Sequence, residues 1–304
     1  MFGGLEAGGT KFVCVIGTGP DDIVETQRID VAGPAETIEA ALDFFRRALA
    51  VGTPLDAIGI GSFGPVELRR SHPRYGFITT TPKPGWSGTD VRGPFAAALD
   101  MPVSFDTDVN AAALAEGRWG AARGLGSFVY LTLGTGIGAG AVIEGRLLYG
   151  LGHPETGHIA VQRRPGDTYE GICPFHGDCF EGMASGPAVG ARFGRRAERL
   201  EGADQAAAAE LVGFYLAAGV RSIMYTLAPE RVVVGGGLSA MPGMLDAARA
   251  GLRLQLNGYP GLTEHTEPGF LVAAELGGLA GPAGTLILAE QAAELATAAA
   301  HTAG

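Results

Sequence analysis

Gly4-Leu5-Glu6-Ala7-Gly8-Gly9-Thr10-Lys11 is followed by the apolar run Phe12 to Ile16. Leu133-Gly134-Thr135-Gly136-Ile137-Gly138 is preceded by the apolar run Phe128 to Leu133. Both stretches place a glycine–threonine turn beside strand-like sequence. Such a turn offers backbone N–H groups with no side chain in the way, and threonine adds a hydroxyl, a combination that grips phosphate oxygens. One turn of this kind would fit an ordinary hairpin. Two of them, about a domain apart, suggest a duplicated architecture that holds one polyphosphate from two sides.

Working outward from the first turn, Phe2 to Leu5 and Lys11 to Ile16 read as a hairpin, and Ile23 to Ile29 as a third strand. Thr37 to Leu49 has helical spacing, with Ile38, Ala41, Leu42 and Phe45 on one face. Ala57 to Gly61 is a short strand running into Gly61-Ser62-Phe63-Gly64-Pro65. A helix over Asp90 to Leu99, a strand over Val103 to Phe105 and a helix from Val109 to Arg118 complete a mixed α/β pattern. The pattern restarts around the second turn, with strands Phe128 to Leu133 and Gly138 to Ile143 and a further pairing segment at Leu147 to Tyr149. A long irregular segment follows from Gly150 to Gly182. Helices are expected at Pro187 to Leu200, Ala203 to Leu227 and Gly243 to Leu256. Arg231 to Val234 forms a strand ending in Gly235-Gly236-Gly237, Phe270 to Ala274 a late strand, and Pro282 to Ala300 a tail helix.

Composition narrows the function classes. The chain has 304 residues, 46% of them hydrophobic, which suits two domains with substantial cores. Its formal charge of −10 argues against nucleic acid, which needs a basic face. No run approaches the roughly 18 uninterrupted apolar residues of a membrane span. Met1-Phe2-Gly3-Gly4 shows neither a basic leader nor a cleavage site, so no membrane association and a cytoplasmic location are expected. Three cysteines without a secretion signal make a disulfide framework improbable. Cys14, inside a strand-like run, reads as a small buried side chain.

The other two cysteines belong to a constellation. His158, Cys173, His176 and Cys179 are spaced H-x14-C-x2-H-x2-C. Two thiolates and two imidazoles suit tetrahedral zinc, and four protein ligands leave no open position, so such a zinc is structural rather than catalytic. His153 is a nearby competitor with a poorer spacing. Two carboxylates, Asp106 and Asp108, follow the strand Val103 to Phe105 and lie at its carboxyl end, where open α/β sheets bind ligands. Spacing alone leaves both open as a general base, and either can instead cap the following helix. Trp86 suits either stacking on a sugar face or the core.

The motifs Gly4 to Lys11, Gly61 to Pro65, Thr81-Pro82-Lys83-Pro84-Gly85-Trp86, Asp106-Thr107-Asp108-Val109-Asn110, Leu133 to Gly138, Glu155-Thr156-Gly157-His158, the Cys/His cluster and Gly235 to Gly237 occur in this order along nearly the whole chain. Together they resemble the ROK family of sugar kinases, and most closely its bacterial fructokinases. The resemblance implies two duplicated actin-like ATPase (ribonuclease H-like) α/β domains with the active site in the cleft between them. Residues 1–118, completed by the C-terminal helix 282–300, would form the first domain. Residues 119–281, with a zinc-binding loop at 150–182, would form the second. Many ROK members carry Asp where Glu6 stands, and the Glu is similar to the fructokinase branch. The commonest ROK zinc pattern has three cysteines and one histidine; here His176 takes the place of one thiolate.

By the same resemblance Asp108 is the catalytic base, within a motif where Thr107 replaces the usual Asn. Asn110, Glu155, His158, Glu181, Gly64 and Pro65 are implied to hold the sugar. Gly8, Gly9, Thr10, Lys11, Thr135 and Gly136 are implied to meet the phosphates of ATP, and Gly235, Gly236 and Gly237 its adenosine. Glu6 is a candidate to orient Mg2+ through water. The expected reaction is ATP- and Mg2+-dependent phosphorylation of a hexose, foremost fructose to fructose 6-phosphate, with Zn2+ as a structural ion. Glucose, mannose and N-acetylmannosamine kinases of the same family are the alternatives. A sugar-sensing regulator is a further one, disfavoured because no room for a DNA-binding module precedes Glu6. The family also suggests a homodimer.

Overall fold

The computed structural model describes residues 1–303, which form two compact units. Unit 1 contains Met1–Trp119, Tyr149–His153 and the C-terminal residues from Gly278; unit 2 contains Gly120–Leu148 and Pro154–Gly277.

In unit 1, β1 (Phe2–Ala7), β2 (Lys11–Gly19) and β3 (Asp22–Asp30) form an antiparallel meander. After α1 (Pro34–Ala50), β4 (Ala57–Ser62) runs parallel to β1. After α2 (Gly93–Ala98), β5 (Val103–Thr107) runs parallel to β4 and leads directly into α3 (Asp108–Trp119). The sheet order is β3-β2-β1-β4-β5. Apolar residues on the sheet and α1 close the core, including Leu5, Phe12, Phe45, Ile58, Ile60 and Phe105. Trp86 belongs to this core. It is 1% exposed, with ring centroids 5.6 Å from Phe12 and 5.4 Å from Phe63, so it does not stack on a ligand. Cys14 is equally buried, which pushes its thiol up to about 12. The expected helix over Asp90 to Leu99 is shorter. Asp90 Oδ1 accepts the Gly93 N–H at 2.7 Å, which holds Asp90 outside the helix.

In unit 2, β6 (Phe128–Leu133), β7 (Ile137–Ile143) and the two-residue β8 (Arg146–Leu147) repeat the meander. α4 (Phe180–Ala184), α5 (Gly186–Phe193) and α6 (Gly202–Leu227) follow, then β9 (Arg231–Gly235), α7 (Met244–Leu256) and β10 (Leu271–Ala273). The sheet order β8-β7-β6-β9-β10 is that of unit 1. α5 stops well before the expected Leu200, because Gly194 takes the left-handed conformation at φ 69° and ends the helix. α6 is apolar enough in its best 18-residue window, at a mean hydropathy of 1.3, to cross a membrane by length and composition. However, 72% of that window is buried in the protein, and the helix packs on α7 and α4 as a core element.

α8 (Ala280–Ala303) closes unit 1 by lying on β1, β4 and α3. Its seat is made by missing side chains. A Cβ on Gly59 of β4 would lie 1.9 Å from the Thr285 carbonyl oxygen, and one on Gly284 would lie 1.8 Å from that of Ala111. No side chain fits at either position without moving the helix.

Candidate active site

The parallel register of unit 1 sets Glu6 of β1, Gly61 of β4 and Asp106 of β5 side by side. The loops leaving these strands therefore share the carboxyl edge of the sheet. They carry the turn Gly8–Thr10, the loop through Gly64 and Pro65, and the start of α3. In the turn, the Gly8 N–H donates to the Lys11 carbonyl at 3.0 Å, and Thr10 is exposed at the tip. A Cβ on Gly9 would meet nothing within 4 Å, so folding alone gives no reason for glycine there.

The two carboxylates of the Asp106–Asn110 motif have different surroundings. Asp106 is 5% exposed and fully occupied. Its Oδ1 accepts from the Thr107 N–H and the Asn110 Nδ2, both at 2.7 Å, and its Oδ2 accepts from the Tyr149 hydroxyl. Burial raises its affinity for a proton, and these three donors oppose that rise. Asp108 is the first residue of α3 and is partly exposed. The capping of α3 falls to Thr107, whose Oγ1 accepts the Asn110 N–H at 3.0 Å. Asp108 Oδ1 accepts its neighbour's N–H, that of Val109 at 2.8 Å, and its carboxylate also takes its own backbone N–H. Its surroundings are nevertheless dry enough that burial pushes its carboxyl up to about 6. Glu6 is pushed up to about 7, chiefly by burial and further by the charge of Asp108, against the opposing charge of Lys11.

Unit 2 presents its own edge. The turn Gly134–Gly136 is closed by the Gly134 N–H donating to Gly136 at 2.9 Å, and Thr135 is exposed at the tip. Thr132 pairs with Gly235, which brings Gly235–Gly237 next to this turn. Gly235 and Gly236 are needed for packing against Tyr130 and Leu133, whereas a Cβ on Gly237 would meet nothing within 4 Å. Glu155 is exposed just before the single helical turn Thr156–His158, and Gly157 in that turn lies against the Ile137 carbonyl. Glu181, in the first turn of α4, accepts the Ile137 N–H at 2.9 Å through Oε2. That bond links a residue expected to face sugar to the base of the second turn. The link is one that sequence spacing does not reveal.

His158, Cys173, His176 and Cys179 converge, with their ligand atoms all within 4.8 Å of one another. The Sγ of Cys173 lies 3.6 Å from His158 Nδ1 and 3.7 Å from His176 Nδ1, and the Sγ of Cys179 lies 3.5 Å from His158 Nδ1. Zn–S and Zn–N bonds of about 2.3 and 2.0 Å at a tetrahedral angle put sulfur and nitrogen about 3.5 Å apart, so the four side chains fit a tetrahedral ion. His153 is outside the cluster. It belongs to unit 1, where its Nε2 accepts the Val66 N–H at 3.0 Å. The Cys/His loop has a second anchor. Arg192 makes two 2.9 Å bonds to Asp167, and Tyr215 donates to the same carboxylate at 2.5 Å. Burial alone would raise the Asp167 carboxyl, but these donors hold it well below the usual range.

The chain is similar to known proteins along most of its length. The ROK family model matches residues 2–292. The chain is 43% identical to a fructokinase of Zymomonas mobilis over 82% of its length and 83% of that protein's. It is 37% identical to a fructokinase of Pediococcus pentosaceus, over 96% of the chain and 98% of the relative. Among solved structures it is similar to a ROK family glucokinase from Streptomyces griseus in complex with glucose and AMPPNP. The identity is 27%, the TM-score 0.74, and the match covers 95% of this chain and 99% of that one. With both sheets, the ordered motifs and a match along nearly its whole length, the chain belongs to the ROK family.

Proposed function

We propose that the protein is a fructokinase, transferring the γ-phosphoryl group of ATP to the 6-hydroxyl of fructose with Asp108 as general base. The observation that carries the assignment of the base is the division of labour after β5. Asp106 is saturated by three donors and Thr107 caps α3, which leaves Asp108 with a raised carboxyl at about 6. Such a group is largely ionised near neutral pH yet basic enough to take a proton in the transition state. As the sugar oxygen attacks the γ-phosphorus, its proton passes to Asp108 and the bond to the departing ADP oxygen breaks.

The turns Gly8–Lys11 and Thr135–Gly136 offer N–H groups, hydroxyls and the Lys11 ammonium to the phosphates. The open space at Gly9 and Gly237 supports a ligand approaching backbone at both places. Gly235–Gly237 take the adenosine. Gly64, Pro65 and Asn110 in unit 1, and Glu155, His158 and Glu181 in unit 2, take the sugar hydroxyls. His158 directs Nδ1 to the Cys/His cluster, which leaves its Nε2 edge for a hydroxyl. Glu6 would hold Mg2+, which would supply charge neutralisation on the phosphates. Zn2+ in the Cys/His cluster is structural and fixes the loop that carries Glu155, His158 and Glu181.

The test is ADP release from MgATP in a coupled assay with fructose, glucose, mannose, N-acetylmannosamine and no sugar in parallel. Release with fructose well above the others is expected. A different preferred hexose would move the protein to another branch of the family. Release unaffected by any sugar would remove the kinase reading and favour a sugar-sensing regulator.

A further inference from the structure

Tyr149–His153 follow β8 of unit 2 along the chain but are packed into unit 1. Two side chains account for this. Tyr149 donates its hydroxyl to Asp106 Oδ2, although half its surface is exposed. His153 accepts the Val66 N–H at its Nε2, and its ring lies beside Gly64, where a Cβ would come within 3.4 Å of Cε1. An accepting Nε2 places the ring proton of the neutral imidazole on Nδ1. Asp106 relays the Tyr149 bond onward, since its other oxygen holds the Asn110 amide at 2.7 Å. Burial first and then Asp106 push the Tyr149 phenol well above its ordinary range, so it donates throughout the working pH range. Neither residue belongs to the Cys/His cluster or to the phosphate turns.

We propose that Tyr149 and His153 are positioning residues for the hexose. His153 fixes the Gly64–Val66 turn, and Tyr149, acting through Asp106, fixes the Asn110 amide. The proposal rests on the sugar-kinase reading above, and neither side chain touches the reacting atoms. Removing one of these hydrogen bonds loosens a surface that meets sugar and leaves the groups that meet ATP in place. The signature is therefore a split between the two substrates.

The experiment is steady-state kinetics, varying fructose and ATP separately, for wild type, His153→Ala, His153→Gln and Tyr149→Phe, with thermal melting of each. His153→Ala is expected to raise KM for fructose about tenfold, the scale of one hydrogen bond, while KM for ATP stays within about twofold. His153→Gln, whose amide oxygen can accept from Val66, recovers most of that loss. Tyr149→Phe, which removes a single hydroxyl, raises KM for fructose about fivefold. Equal shifts for both substrates, or no shift for fructose in folded variants, would overturn the proposal. If the wild type phosphorylates no hexose, the kinase reading falls. Fructose binding to the same four proteins, by calorimetry, then decides the positioning role, and an affinity equal in all four overturns it.

Discussion

The turn Gly8–Thr10 of unit 1 and the turn Gly134–Gly136 of unit 2 join equivalent strands of two sheets with one strand order, yet their surroundings have diverged. Around the first turn stand charges, with Glu6 on one side and Lys11 on the other, and Gly9 opens onto free space. The second turn is braced. Gly134 accepts the Gly186 N–H at 2.8 Å, and Gly136 lies against the Glu181 carboxylate, which also takes the Ile137 N–H. Glu181 sits two residues past Cys179, so the brace runs into the Cys/His loop. A repeated backbone has thus been left open for charge chemistry in one copy. In the other it is fastened, through Glu181, to the segment that carries the Cys/His cluster.

The largest expected effect breaks the open copy. Asp108→Asn keeps the shape and removes the base, and should lower kcat at least about a hundredfold while leaving MgATP binding nearly unchanged. Near-normal turnover would exclude Asp108. Gly9→Ala and Gly136→Ala sharpen the contrast between the turns. At Gly9 the added methyl meets only open space, so melting should not change while KM for ATP rises about tenfold, the scale of one lost contact. At Gly136 the methyl would lie 2.7 Å from Glu181 Oε2, so that variant should also melt a few degrees lower. Identical behaviour of the two variants would erase the distinction.

Removing zinc, with metal content verified, should lower activity severalfold. Amide exchange should rise in the loop from Glu155 to Glu181 but not in the sheet of unit 1. Full activity in metal-free protein would remove the structural role.

The smallest effect is on pH dependence. The carboxyls of Asp108 and Glu6, at about 6 and about 7, bind protons more tightly in the folded chain than in the unfolded one. Ionising them therefore removes stability as pH rises from about 4, the ordinary carboxylate value, through those values. Asp108→Asn should melt a few degrees above wild type at pH 8 and no higher at pH 4. Asp167, held low, works in the opposite sense. Its contribution is complete at neutral pH and fades as pH falls below about 4. In the active enzyme kcat should fall as pH drops below about 6. A flat profile down to pH 5 would detach Asp108 from the chemistry.

Much of this was legible in the sequence for identifiable reasons. The strand hairpins follow from short apolar runs around glycine turns, and both were expected at nearly their observed bounds. The Cys/His spacing identified four residues that do converge. Less legible was anything that depends on which backbone group lies opposite a side chain. Spacing does not tell Asp106 and Asp108 apart, because what distinguishes their surroundings is that three donors occupy Asp106 and Thr107 caps α3. The pattern Thr107-x-x-Asn110 carries that signal, since a threonine three residues before the N–H that it accepts is the spacing of a helix cap. Trp86 stood open between ligand and core because its neighbours, Phe12 and Phe63, are distant in sequence. The return of Tyr149 and His153 to unit 1 leaves no periodic trace in the sequence, where His153 reads only as a rival metal ligand. Helix ends failed where a single residue decides them, as Gly194 does for α5.

The most direct measurement is 31P NMR of the wild-type, zinc-replete protein with MgATP, with and without fructose. The account predicts that the γ-phosphate signal of ATP passes into the phosphomonoester signal of fructose 6-phosphate only when fructose is present. Inorganic phosphate appearing at the same rate in both samples, with no sugar phosphate formed, would contradict it.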